Sequence, residues 1–322
     1  MVVFMKSKLK KHIYENNSKN FFYNKTSNIN RFKDKLGELG GNLAYNLILV
    51  FIAACVVVYV LNIVVANQII YRIRNESIDY ELFREMKISD DLIEEVVISD
   101  HDDYDMLTLY MMVHNYDTSK YKKINNANAD LVLRSITYDE NFREIRDNYV
   151  TIFKNIKAFP VLQTSNGDFN VSFADTWNAY RGYGGDRRHE GADLMAKENV
   201  SGKLKVISMT EGTIEQKGWL EQGGYRLGIR SDSGAYFYYA HLDSYRDNLN
   251  VGDFVEAGEF IGFMGDSGYG PEGTTGQFDV HLHLGIYIDS KNGQISVNPY
   301  PIINYLQKMA TVPELSMTNK KS

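Results

Sequence analysis

The feature that most constrains this chain is a run of twenty apolar residues. Residues 47–66 read LILVFIAACVVVYVLNIVVA, and Asn62 is the only strongly polar side chain among them. No charged residue occurs between Glu38 and Arg72. With a rise of about 1.5 Å per residue, a helix of this length spans the roughly 30 Å hydrocarbon layer of a bilayer. The sequence therefore predicts one transmembrane helix over residues 43–70.

Two other kinds of segment also contain long apolar runs. A buried helix of a soluble core is usually shorter or carries a polar stripe. A cleavable signal peptide has an apolar region of about 7–15 residues that ends at a small-residue cleavage site. This run is longer, begins late in the chain and lacks an Ala-x-Ala exit. A membrane anchor is therefore favoured over both.

The charges on either side of the run predict its orientation. Residues 1–42 carry nine lysines and arginines against three acids, whereas the rest of the chain carries 26 bases and 38 acids. The excess of basic residues is expected on the cytoplasmic side. We expect residues 1–42 to form a disordered basic arm in the cytoplasm, and everything after residue 70 to lie outside the membrane. This predicts a single-pass protein of the cell membrane.

Composition excludes several classes of site. The chain has one cysteine, Cys55, so it has no intramolecular disulfide and no zinc cluster built on cysteines. A net charge of −6 is unlike the basic surface of a nucleic-acid-binding protein, and no nucleic-acid partner is expected.

Residues 71–158 are predicted to be helical and extracytoplasmic. They contain neither proline nor glycine, and Thr137-x-x-Glu140 has the pattern of a capping box that opens a helix. Residues 76–105 hold twelve acids and two bases. Such a run is either a docking or calcium-binding surface or a solvated helical face, and the absence of EF-hand spacing favours the solvated face. The region would position the domain that follows, restrain it, or bind a protein partner.

The composition changes after residue 158. Twenty of the 25 glycines lie between Gly182 and Gly285, interleaved with short β-branched and aromatic runs. This pattern is typical of a compact all-β domain with many tight turns, predicted here over residues 159–308. Residues 251–265 resemble half of a biotinyl or lipoyl domain but lack the lysine that carries the group, so we expect an ordinary hairpin there. Residues 309–322 are expected to be a flexible tail.

The histidines of this domain have informative spacing. His281 and His283 alternate with apolar residues in FDVHLHLGIY, so on a strand both face the same side. His189 and Asp193 are four residues apart, which is one face of either a strand or a helix. Two neutral imidazoles and one carboxylate suit zinc, with a fourth position open for water. His241 alone would be an ordinary surface histidine, but its occurrence in the same glycine-rich domain adds it to the predicted site.

These motifs, in this order, resemble the lysostaphin-like zinc metallopeptidases of family M23, which are peptidoglycan endopeptidases. The similar segments are WNAYRGYGGDRRHEGADLMA, YAH, VGDFVEAGEFIGFMGDSG and HLH, within roughly residues 160–308. The resemblance implies an antiparallel β-sheet groove with one Zn²⁺ ion. It implies that His189, Asp193 and His283 ligate this ion and that His241 and His281 are catalytic histidines beside it. Residues 278–280 and 284–285 depart from the pattern of many relatives. Because these positions are not ligands, the departure affects the expected fit of the substrate more than the expected binding of zinc.

The resemblance also implies a mechanism, namely metal-assisted hydrolysis of an amide. Zinc would lower the pKa of its bound water and polarise the scissile carbonyl. Either His281 or His241 would accept the water proton, while the other would hydrogen-bond the developing oxyanion. Spacing does not decide between them. There is no His-Glu-x-x-His motif, so a thermolysin-like glutamate base is not predicted.

The expected substrate is the peptide part of peptidoglycan. A Gly-Gly bridge and a link from D-Ala to a diamino acid are both compatible with the sequence, and the second is favoured. Arg181, Arg187 and Arg188 either engage substrate carboxylates or are surface residues packed around Trp177. The alternative is a scaffold of this fold that binds partners in envelope or sporulation morphogenesis with little or no catalysis. Because all five polar positions are filled, an enzyme is favoured.

Overall fold

A computed structural model describes residues 42–97, 104–120, 129–182, 185–291 and 293–310 of the 322-residue chain. The predicted basic arm and most of the predicted tail lie outside the described residues. The chain divides into two units, residues 1–66 and 67–322.

The apolar run lies in one long helix, α1 (Asn42–Asn75). Residues Leu43–Asn75 are long and apolar enough to cross a membrane, and the apolar window within them is exposed. Cys55 is exposed on this helix. The apolar N-terminal helix predicted from the sequence is therefore confirmed, and its length and composition suit a membrane span.

The described residues of the region predicted to be helical contain five helices, α2 (Tyr80–Arg84), α3 (Asp90–Val97), α4 (Tyr104–Val113), α5 (Ala129–Ile136) and α6 (Glu140–Phe153). Helix α6 nevertheless begins differently from the prediction, because Asp139 caps it rather than Thr137. The Asp139 carboxylate accepts hydrogen bonds from the backbone N–H groups of Asn141 (3.1 Å) and Phe142 (3.3 Å). Thr137 is still bonded to the end of α5, through its N–H to the Leu133 carbonyl at 3.0 Å.

An antiparallel sheet follows, as predicted. The strands are β1 (Val171–Ser172), β2 (Tyr180–Arg181), β3 (Arg187–Arg188), β4 (Ala192–Ala196), β5 (Lys205–Ile207), β6 (Gly212–Leu220), β7 (Gly224–Ser231), β8 (Tyr236–Tyr245), β9 (Phe254–Val255), β10 (Phe260–Met264), β11 (His281–Ser290) and β12 (Gly293–Val297). The main path of the sheet runs β1-β4-β11-β8-β7-β6-β9, with β12 beside β11, β10 beside β8 and β5 beside β10, while β2 and β3 form a separate pair.

Two features of the sheet region differ from the sequence predictions. The hairpin expected over residues 251–265 is wrong, because β9 pairs with β6 whereas β10 pairs with β5 and β8. Each segment finds its backbone partners in a different part of the sheet. A helix also follows the sheet, α7 (Tyr300–Ala310), which buries Ile302, Ile303 and Leu306. Its first turn contains Pro301, a residue favoured at helix starts.

Helices and sheet share one core. Phe83, Ile152 and Phe153 from the helices belong to the same buried cluster as Leu227 and Tyr239 from the sheet. The junction is also bonded, because the Lys157 N–H donates to the Met209 carbonyl at 2.9 Å and the Met209 N–H donates to the Tyr239 hydroxyl at 2.9 Å. The helices thus pack against the sheet that carries the predicted site.

Candidate metal centre and its groove

Strand pairing brings three of the predicted site residues together. In the antiparallel pair of β4 and β11, Asp193 lies directly opposite His283. Such opposed residues have Cβ atoms about 4.5–5.5 Å apart, so their side chains meet on one face. His189 lies in the short connection between β3 and β4 and is 2% exposed.

The three side chains converge on one point. His189 Nε2 lies 3.1 Å from Asp193 Oδ1 and 3.1 Å from His283 Nδ1. His283 Nδ1 lies 2.9 Å from Asp193 Oδ1. Zinc bonds of about 2.0–2.2 Å in a tetrahedral site place ligand atoms roughly 3.3 Å apart, close to these separations. Two imidazoles and a carboxylate in this arrangement therefore fit a zinc ion, and they are a group that could hold a metal.

Neighbouring groups orient these candidate ligands. His189 Nδ1 lies 3.1 Å from the Thr176 carbonyl oxygen, to which it can donate a hydrogen bond. This bond leaves the Nε2 lone pair pointing at the centre, the usual arrangement for a metal-binding histidine. Arg181 Nη2 donates to Asp193 Oδ2 at 2.7 Å and also lies 3.0 Å from His189 Nδ1. Arg181, predicted to bind substrate, thus lies against a candidate ligand, and Asp193 Oδ1 is left for the centre.

Local electrostatics favour the protonation states that a metal requires. Burial raises the pKa of Asp193, but the adjacent imidazoles of His189 and His283 outweigh burial and hold this pKa well below its usual range. Burial lowers the pKa of the His283 imidazole. Asp193 is therefore ionised and His283 neutral near pH 7.

His281 and His241 form a second pair beside the first group. His281 Nδ1 donates to the Asp279 carbonyl at 2.7 Å, and His241 Nδ1 donates to the Ser267 carbonyl at 2.8 Å. These bonds leave both Nε2 atoms as acceptors. The two ring centroids are 4.7 Å apart, and His281 Nε2 lies 3.9 Å from Asp193 Oδ1. Burial lowers the pKa of His241 to about 3, so this ring is neutral at physiological pH.

A β-bulge directs His241 into the groove. Between β7 and β8, Leu227 pairs with Tyr239 whereas Tyr225 pairs with Leu242, so β8 has one extra residue there. Strict alternation would place His241 on the face opposite Ala240, yet both residues line the groove. His241 has φ of +60°, which is the left-handed region. Bulges are known to redirect a side chain in this way.

All five residues line one groove of about 1070 Å³. Aromatic side chains form much of its wall, and glycines make room for them. A Cβ at Gly228 would clash with the Tyr236 hydroxyl, and one at Gly223 would clash with the Tyr238 hydroxyl. A Cβ at Gly191 would lie 2.6 Å from the His283 ring. The aromatic lining residues are Tyr236, Tyr238, Tyr269, Phe278 and Tyr287.

Arginines line the same groove. Arg187 Nη2 donates to the Tyr269 hydroxyl at 3.2 Å, and Arg188 Nη1 lies 3.4 Å from the Asn178 carbonyl. Trp177 is covered by Arg84 of α2, whose guanidinium lies 5.2 Å from the centre of the Trp177 ring. Arg226, which the sequence analysis did not single out, also lines the groove.

Thr176, Ser267 and Arg84 were not predicted from the sequence. The first two act through backbone oxygens, which carry no sequence signal, and Arg84 comes from a helix 93 residues before Trp177. Tyr236 and Tyr238 could have been found, because they alternate with buried Phe237 and Tyr239 along β8.

Parts of this chain are similar in sequence to known peptidases. The sequence profile of peptidase family M23 matches residues 187–299. An L-Ala--D-Glu endopeptidase of Bacillus subtilis is 45% identical over 132 residues, which are 41% of this chain and 39% of that protein. Lysostaphin of Staphylococcus simulans is 32% identical over 117 residues, 36% of this chain and 21% of that protein. The chain thus covers well under half the length of either of these relatives.

A solved structure is similar over a longer part of the chain. The crystal structure of a putative glycyl-glycine endopeptidase from Ruminococcus gnavus is 38% identical, with a TM-score of 0.64. The match covers 74% of this chain and 96% of that one. It extends well beyond the residues that the family profile matches.

Proposed function

Because the chain belongs to peptidase family M23, we propose that it is a zinc-dependent endopeptidase that hydrolyses peptide bonds of cell-wall peptidoglycan. The observation that carries the proposal is the convergence of His189, Asp193 and His283 beside the pair of His241 and His281. A scaffold needs none of these five groups, so their joint presence in one groove supports an enzyme.

Three residues would hold one zinc ion, through His189 Nε2, Asp193 Oδ1 and His283 Nδ1. When bound, zinc activates water near neutral pH and polarises the carbonyl of the scissile bond. Thr176 keeps the Nδ1 proton of His189 away from the centre, and Arg181 holds the second oxygen of Asp193. Such neighbouring contacts typically affect metal affinity or activity by about 10–100-fold.

The two remaining histidines would move protons. His281 Nε2 lies 3.9 Å from Asp193 Oδ1, and its Nδ1 proton is held by a backbone carbonyl. We assign to His281 the removal of the proton from the attacking water and its return to the leaving amine. His241, with its ring 4.7 Å from that of His281, would orient the water and the developing oxyanion.

The bond proposed as substrate is that between L-Ala and D-Glu. The relative at 45% identity bears this bond in its name, whereas the relatives named for lysostaphin or glycyl-glycine cleavage have 27–38% identity. This differs from the link between D-Ala and a diamino acid that the sequence analysis favoured. The groove's tyrosines and arginines suit a peptide that carries carboxylates.

The place of action follows from α1. We propose that this helix anchors the chain in the cell membrane, with the basic arm in the cytoplasm and the groove on the side of the wall. The wall peptides are then within reach of an anchored enzyme. A protein partner for residues 71–158 stays a prediction.

The test is hydrolysis by the full chain in detergent, with metal content measured by emission spectrometry. Three synthetic peptides would be compared, containing L-Ala–D-Glu, D-Ala–diamino acid or Gly-Gly bonds, and products identified by mass spectrometry. We expect about one zinc per chain, preferential cleavage of the first peptide, loss of cleavage with a chelator and recovery with zinc. Protein that carries zinc but releases no new amine ends from any peptide or from purified wall would overturn the proposal.

A further inference from the structure

Arg226 occupies a distinctive place in the groove. It lies on β7, opposite Gly218 of β6, and its carbonyl accepts a hydrogen bond from the Tyr245 hydroxyl at 3.1 Å. Its side chain lines the groove together with Tyr236 and Tyr238. The ring of Tyr238 in turn lies 6.0 Å from that of His283. Arg226 therefore lines the same groove as the candidate metal centre.

The charge of Arg226 acts on these tyrosines. Burial raises the pKa of Tyr238 to about 12, and the positive charge of Arg226 opposes this rise. Burial likewise raises the pKa of Tyr236, again opposed by Arg226. Arg226 and the two tyrosines thus interact electrostatically within the groove.

Part of this guanidinium lacks an acceptor. Nη2 donates to Gln216 Oε1 at 3.3 Å, but Nη1 is buried and has no hydrogen-bond partner in the described part of the chain. A buried donor on a charged group is costly when it is left unpaired. Among the described residues that have a buried, unpartnered polar side-chain atom, Arg226 is the one that lines the groove.

The acids of the groove are engaged elsewhere. Asp193 is bonded to Arg181 at 2.7 Å, Asp279 accepts from Asn199 at 2.9 Å, and Glu190 lies 3.9 Å from Arg84. The other groove arginines differ from Arg226, because Arg181 is held by a carboxylate and Arg187 donates to Tyr269. None of these three acids is paired with Arg226, so its guanidinium is open to a carboxylate from a ligand.

We propose that Arg226 binds the free carboxylate of the glutamate next to the scissile bond, and so selects wall peptides with this carboxylate over those in which it is a carboxamide. The inference rests on the proposed function. A glutamate within a peptide uses one carboxyl group in the chain and keeps the other free. A guanidinium matches a carboxylate in both charge and geometry, whereas a carboxamide carries no charge and presents N–H donors to it.

The experiment compares two peptides that contain the L-Ala–D-Glu bond and differ only at the free glutamate carboxyl, which is a carboxylate in one and a carboxamide in the other. Their kcat/KM ratio is measured with the full chain. We expect a preference of about 10–100-fold for the carboxylate, the range given by charge-assisted hydrogen bonds. In Arg226→Gln the ratio should fall to near one, and in Arg226→Lys it should be partly kept. Because both peptides meet the same protein, the ratio is insensitive to partial misfolding.

Two controls isolate the effect. Arg246→Gln removes an arginine that is paired with Glu259 and does not line the groove, and it should keep the wild-type ratio. A third peptide with a carboxamide at its C-terminus only should be cleaved like the parent peptide, which separates the glutamate carboxylate from the terminal one.

The outcomes separate this inference from the proposed function. Equal cleavage of both peptides by the wild-type chain, or an unchanged preference in Arg226→Gln, would overturn the inference while the endopeptidase stands. If neither peptide is cleaved, the proposed function fails, and equilibrium binding of the two peptides decides the inference. The inference is supported if the wild-type chain binds the carboxylate peptide more tightly than the carboxamide peptide and Arg226→Gln abolishes this difference. Equal binding of the two peptides by the wild-type chain overturns the inference.

Discussion

Two groups of side chains face the same groove and differ in how closely their polar atoms approach one another. His189, Asp193 and His283 converge to within 3.1 Å of one another, an arrangement of acceptor atoms that a cation stabilises. His241 and His281 are instead held by backbone carbonyls, which fix their protons on Nδ1. We expect the first group to be the one that depends on a bound metal, and the second group to be independent of it. The predictions below test this difference.

The largest effect is expected from His283→Ala. Removing one of three candidate ligands should abolish stoichiometric zinc binding and reduce peptide hydrolysis to background. Metal content by emission spectrometry and product formation by mass spectrometry check both expectations. Lys154→Ala, an exposed position at the end of α6, is the control. A His283→Ala protein that binds zinc normally would sink the ligand assignment.

The second pair should behave differently. His281→Ala and His241→Ala should each keep zinc and lower kcat by roughly 10²–10⁴-fold, because proton transfer contributes on this scale. Zinc titration and steady-state kinetics of the same preparations separate binding from catalysis. Loss of zinc in either variant, or a kcat within threefold of the wild type, would contradict the division of roles.

Stability should follow the same division. Zinc at 100 times its dissociation constant should raise the free energy of unfolding by about 2.7 kcal/mol, since a ligand that binds only the folded state stabilises it by mass action. Denaturant unfolding with zinc and with chelator measures this shift. The shift should vanish in His283→Ala and persist in His281→Ala; an equal shift in both would remove the distinction.

Gly191→Ala tests the packing behind the first group. The added Cβ would lie 2.5 Å from the Leu284 carbonyl oxygen and 2.6 Å from the His283 ring, so the ring must move. Overpacking of this kind should lower the free energy of unfolding by about 1–3 kcal/mol. The affinity for zinc should fall as well, and denaturant unfolding and zinc titration measure the two effects. Gly182→Ala is the matched control, because nothing lies closer than 3.6 Å to its new Cβ. Equal stability and zinc affinity in the two variants would show that the His283 position is not constrained.

The smallest effect is expected from Arg84→Ala. Arg84 covers Trp177, which adjoins Thr176, and donates to the Ser296 carbonyl of β12 at 2.8 Å, so it links α2 to both. Losing the stacking and this hydrogen bond should cost about 1–2 kcal/mol of unfolding free energy. Denaturant unfolding measures the cost, again with Lys154→Ala for comparison. A change within 0.5 kcal/mol, about the usual size for surface substitutions, would mean that this link is dispensable.

Sequence reasoning succeeded where the signal was local. The apolar run identified α1, the absence of glycine and proline identified the helices, and the glycine-rich alternating segments identified the sheet. Alternation in HLH placed His281 and His283 on one face, and both line the groove. The reasoning failed where neighbouring elements compete for the same residues. Thr137 ends α5 instead of capping α6, and residues 251–265 pair with separate strands instead of each other.

By itself, the sequence determined the residue types of the site and the periodicity that directs most of them, because side-chain direction in a strand depends only on position along it. Tertiary structure decided the rest. Whether Asp193 lies opposite His283 depends on the register between β4 and β11. Whether the His241 side chain points into the groove depends on the one extra residue in β8. The position of Arg226, with a donor buried beside two tyrosines, likewise results from the pairing of β6, β7 and β8. Register, bulges and long-range contacts arise from the balance of packing over the whole sheet, and local spacing does not encode that balance.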